Sequence, residues 1–160
     1  MKMYFAVLAV FIVAPAWGSD IKPMADMRHH MKREINVNMP TPKLSLALFK
    51  DASNGYNLHL NLANYHIQPP ELRQENSLQR PLEGHAHLYI NSVKIGRLYG
   101  RYYHLPKAMF NAGVNNIKVT LNSHDHAVWA VQGKEIFSSI MINTLKDNFI
   151  LYQLDTQAVK

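Results

Sequence analysis

Two short motifs carry the residues best suited to chemistry. One is His85-Ala86-His87, inside GHAHLYINSVKIGRLYG at residues 84–100; the other is His124-Asp125-His126, in SHDH. Between them lies His104, in HLP. Two histidines two positions apart on a β-strand share a face, with Cα atoms ~6.6 Å apart. Imidazoles at that spacing can converge on one metal ion, whose bonds to nitrogen are ~2.0–2.1 Å for zinc. A loop can aim His124 and His126 the same way, and Asp125 is either a further donor or the acceptor that fixes an imidazole tautomer. The chain has no cysteine. That removes disulfides, thiolate ligands and a cysteine nucleophile, and an all-imidazole set suits Zn(II) or Cu(II). The same spacings also arise on an ordinary polar surface, so everything depends on whether the five histidines meet. His59 and His66 fall earlier in the chain and are not placed with them.

What must position these residues is a set of short strands. In residues 84–90 the alternation puts His85, His87 and Tyr89 on one face and Ala86, Leu88 and Ile90 on the other. Asn91-Ser92 makes the turn. If the apolar set faces a core, the histidines lie on an outer sheet face or under a covering loop. KLSLALFK (residues 43–50) and NLHLNLA alternate likewise, with Leu44, Leu46 and Leu48 facing Leu58, Leu60 and Leu62 across the DASNGYN turn. RYYHLP (101–106) reads as a strand stub and 107–115 as a loop. NIKVTLN (116–122) turns Ile117, Val119 and Leu121 inward. Residues 127–131 and 135–143 give two more strands, split by Gln132-Gly133, and 149–154 a last strand or a helical turn. Residues 68–83 form a long polar, proline-bearing loop, a candidate crossover between sheets. Seven or eight short strands with no helical period predict an all-β fold, an antiparallel β-sandwich of immunoglobulin-like or cupredoxin-like type, with a small barrel as the alternative.

The N-terminus differs in character. Residues 1–18 combine Lys2, the apolar run 4–14 and the small residues of APAWG, the pattern of a cleaved signal peptide, with cleavage after Gly18 or Ala16. Residues 19–42 are rich in methionine and histidine. On a helix through MADMRHHM, ended by Pro40 and Pro42, Met24, Met27 and Met31 share one face near His29 and His30. These are packing residues or a secondary set of soft ligands selecting Cu(I). The sandwich domain is placed at 43–160. The net charge of +6 becomes +5 once Lys2 is removed, with the charges scattered. That is an ordinary solvated surface and argues against nucleic acid as a partner.

Taken together, GHAHLY, HLP and LN-x-x-DH (here Leu121-Asn122-Ser123-His124-Asp125-His126), after GYNLHLNLANY at residues 55–65, resemble the motifs of a family of small exported bacterial proteins. The resemblance covers roughly residues 43–142. It implies an immunoglobulin-like or cupredoxin-like sandwich and no particular activity. The His-x-His pair with later histidines is similar in outline to copper/zinc superoxide dismutases, but their flanking sequence, cysteines and late arginine motif are absent. Asp125-His126 loosely resembles an element of periplasmic copper carriers.

These readings lead to an exported, periplasmic or secreted, protein that handles copper or zinc without turnover, its partners a metal ion and another periplasmic or envelope protein. The expected ligands are His85, His87, His104, His124, Asp125 and His126. The alternative is a metal-free envelope module whose Tyr89, Tyr99, Tyr102, Tyr103 or Trp129 contact protein or glycan. No G-x-S-x-G, HExxH or phosphate-loop motif supports an enzyme.

Overall fold

The alternating segments form two facing sheets. The computed structural model describes residues 31–72 and 81–156. The signal-peptide pattern, most of the Met/His helix (24–30) and part of the polar loop (73–80) lie outside the described residues. In chain order the strands are β1 (Lys32–Glu34), β2 (Lys43–Lys50), β3 (Tyr56–Ala63), β4 (Tyr65–Ile67), β5 (Leu82–Ile90), β6 (Val93–Leu98), β7 (Tyr102–Leu105), β8 (Val114–Asn122), β9 (Val128–Val131), β10 (Lys134–Glu135), β11 (Phe137–Asn143) and β12 (Ile150–Asp155). The smaller sheet runs β2-β3-β7. The larger is built on the antiparallel path β6-β5-β8-β11-β12, with β9, β10 and β1 added beside β8 and β4 beside β5.

The core lies between the sheets and is made by the residues that alternation turns inward. Leu44, Leu46, Leu48, Leu58, Leu60 and Leu105 of the smaller sheet meet Ala86, Leu88, Ile90, Ile117, Val119, Leu121, Ile140 and Ile142 of the larger. Each fully buried leucine contributes roughly 2 kcal/mol relative to exposure. Gln153 Nε2 donates to the Leu46 carbonyl at 3.0 Å, tying the edge of one sheet to the other. The turns follow their residues. Asn91 and Ser92 both take positive φ (50° and 68°), which gives the tight hairpin twist. Asp51 accepts from the backbone N–H groups of Ser53 and Asn54 in the first hairpin turn.

The all-β sandwich expected from the alternation is therefore present, with differences in detail. Lys32–Glu34, inside the N-terminal segment, is a strand of the larger sheet, parallel to β9. No helix runs from Met31 to the prolines. β4 is parallel to β5, so two three-residue pairings depart from a purely antiparallel scheme. The polar loop gives up Leu82 and Glu83 to β5 and holds a short 3-10 turn at Pro70–Leu72. The last segment is a strand and not a helical turn. Among the described residues no helix is long and apolar enough to cross a membrane.

Candidate metal centre

The strand β5 places His85 and His87 on the outer face of the larger sheet. Their neighbours across β8 are Asn122 and Thr120. An outer face is normally wet, yet His85 and His87 are fully buried. What covers them is the connection from β8 to β9. There the His126 N–H bonds to the Ser123 carbonyl at 2.9 Å and the Ser123 N–H to that of Ala127 at 2.9 Å, so the chain reverses over three residues, His124, Asp125 and His126. His126 closes the reversal in the left-handed region (φ 70°), as such three-residue loops require.

That reversal brings His126 over the strand pair. One ring nitrogen from each of His85, His87 and His126 lies within 4.8 Å of the other two. His85 Nε2 and His87 Nε2 are 2.9 Å apart. That contact is a hydrogen bond between the two rings. Ligand nitrogens on one tetrahedral ion are ~3.3 Å apart for bonds of ~2.0–2.1 Å, so a bound ion would replace this bond with only a small separation of the rings. The buried His85 Nδ1 has no hydrogen-bond partner. Unpartnered buried polar atoms are uncommon and point to a missing water or ion.

Burial, aided by the neighbouring His126, Arg97, His124 and Lys94, pulls His85 down to about 4. The ring is therefore a neutral donor at physiological pH, the form a metal takes. The shift also fixes a sign for the metal-free protein. The unfolded chain binds a proton at pH ~6.5 that folded His85 refuses until about 4, so stability is full above that window and falls as pH drops through it. His85, coupled to the rings around it, should remove up to about 2 kcal/mol between pH 8 and pH 5. Urea unfolding of metal-free protein at the two pH values checks this. An effect no smaller in His85→Gln protein would rule out His85 as its source.

The supports come from elsewhere in the chain. Thr120 Oγ1 donates to Asn122 Oδ1 at 2.7 Å, and Asn122 Nδ2 lies 3.3 Å from the His126 carbonyl, which orients the loop from below. Tyr65 Oη donates to the Asn122 carbonyl at 2.7 Å and sits 3.1 Å from that of His85. Burial pushes the Tyr65 hydroxyl well above its ordinary value, so it stays a donor. Gly84 makes that approach possible: a Cβ there would lie 2.2 Å from the Asn122 carbonyl oxygen and 2.6 Å from Tyr65 Oη.

Not every expected ligand reaches the cluster. His104 sits on β7 of the smaller sheet, on the opposite face of the sandwich, with Nδ1 3.1 Å from Asn57 Oδ1. Strand pairing with β3 holds it there, so it is removed from the set. Asp125 is half exposed and engaged elsewhere: it accepts from Ser123 Oγ and pairs with Arg33 of β1. The Ser123 hydrogen bond, with Arg33 beside it, holds its carboxyl below the usual range. In this arrangement it fastens the loop and lies outside the cluster of three close imidazoles. His124 stands close, its ring 6.4 Å from that of His85. Met31 is 79% exposed, while Met24, Met27, His29 and His30 lie outside the described residues. His59 stacks on Tyr102 at 4.3 Å on the smaller sheet. Sequence reasoning missed the supports Tyr65, Thr120, Asn122 and Arg33; the position of Asn122 at the mouth of the histidine loop was the one available sign. No protein-family model matches the chain, and neither a curated protein nor a solved structure shows a significant match.

Proposed function

We propose that this is an exported metal-handling protein that holds one Cu(II) or Zn(II) ion through His85, His87 and His126, without turnover. One observation carries the reading: three imidazoles, two of them fully buried, bring ligand nitrogens within 4.8 Å of one another. A polar surface patch would leave such rings wet. Imidazole donors suit both metals, and copper is the tighter binder of the two on a given site. The signal-peptide-like pattern at residues 1–18 supports a periplasmic or secreted setting, and the absence of cysteine leaves imidazole as the donor type.

A second reading has its own observation. Tyr102, 77% exposed and stacked on His59, lies on the opposite face and suits a metal-free module that contacts protein or glycan. Metal analysis separates the two. Untagged protein recovered from the periplasm should carry about one equivalent of copper or zinc, or take one up on titration. Protein that neither carries nor takes up metal would end the metal reading and leave the binding module.

A further inference from the structure

We infer that His124 is the fourth ligand of this centre, an inference that rests on the three-histidine site proposed above. Both ring nitrogens of His124 are buried and without hydrogen-bond partners, although the residue itself is only half-buried. A histidine on a loop can turn its ring to water at little cost. This one instead keeps two bare nitrogens beside His85, whose own Nδ1 is also unpartnered.

The spacing fits an ion between them. Imidazoles bound to one tetrahedral ion have ring centres about 5 Å apart. The three rings already assigned are 4.8, 4.9 and 5.7 Å apart. His124 is 6.4 Å from His85 and stands outside the three rings whose ligand nitrogens lie within 4.8 Å of one another, so to join them its ring must move inward by at least roughly 1 Å. Asp125, the other candidate on this loop, is held by Arg33 and Ser123. Its fastening pins the middle of the loop and leaves the histidines on either side to close on the ion.

The resulting centre has two imidazoles fixed on the sheet and two on the loop. Four protein ligands make a closed site, the kind that holds or transfers an ion, whereas catalytic sites keep a position open for water or substrate. Metal enters and leaves from the loop side, because His85 and His87 are fully buried.

The test uses the full exported chain loaded with one equivalent of Cu(II). Pulsed electron paramagnetic resonance should count four coordinated imidazoles in the wild type and three in His124→Ala. Release to a chelator should be faster in that variant by at least about tenfold, since even losing an outer support of a ligand costs that much. His124→Phe, which fills the space without a donor, should behave as His124→Ala does, and Asp125→Asn should keep four. Three imidazoles in the wild type, or an unchanged count and release rate in both His124 variants, would overturn the assignment while leaving the three-histidine site intact. Failure of the wild type to bind Cu(II) or Zn(II) at all would instead remove that site, and this inference with it.

Discussion

His85→Ala/His87→Ala protein should show no thermal stabilisation by zinc or copper, where the wild type gains about 5–10 °C. The figure follows from mass action. Metal at a hundred times its dissociation constant adds about 2.7 kcal/mol to the folded state, and in a domain of about this size each kcal/mol raises the midpoint by roughly 2–4 °C. Both side chains project from the outer face of β5, so their removal leaves the core between the sheets untouched. It does hollow out the space beneath the loop, which lowers the metal-free midpoint as well. The comparison is therefore the metal-induced shift within each protein. His126→Asn serves as the second variant, because asparagine accepts the left-handed backbone at that position. A shift of wild-type size in either protein would show that the metal sits elsewhere.

Gly84→Ala should destabilise the fold by more than about 3 kcal/mol and weaken metal binding with it. The added methyl would meet the Asn122 carbonyl oxygen at 2.2 Å and Tyr65 Oη at 2.6 Å. The Asn122 carbonyl belongs to the strand backbone and is held by Tyr65 Oη, so it cannot step aside, and β5 must separate from β8 at the register pair His85↔Asn122. That pair carries the first ligand and the residue that orients the loop. Gly96→Ala is the control, because nothing lies within 4 Å of a Cβ there, and it should change stability by less than about 1 kcal/mol. Denaturant midpoints and metal titrations of the two variants decide the matter: equal effects would mean that the tight junction behind His85 does not hold the site.

Much of the fold was legible because side-chain alternation is a local signal. Leu44, Leu46, Leu48, Ile117, Val119 and Leu121 each face the core as their spacing requires. The pairings that escaped reading were the short non-local ones. Three residues of β1 or β4 carry too little pattern to announce a parallel partner far along the chain. At the site, His85 and His87 were legible as a pair because period 2 fixes their common face. His126 and His124 were legible only as neighbours, since which way each ring points depends on the backbone turn at residues 123–127. His104 misled because its distance from the pair is set by β7 joining the other sheet, which a motif of three letters does not encode. The engagement of Asp125 was not legible, because its partner, Arg33, comes from the far end of the chain.

The positive φ of His126 reaches beyond the shape of the loop. A residue in that conformation must be one that tolerates it, and branched side chains do not. Evolution or an engineer altering the metal preference here thus works through two successive sieves. The backbone admits histidine, asparagine, aspartate or glycine, and only then does coordination chemistry choose among them. Two of those four can still donate to copper or zinc with strength, so this position can drift between an imidazole and a carboxylate while the strands beneath it stay as they are.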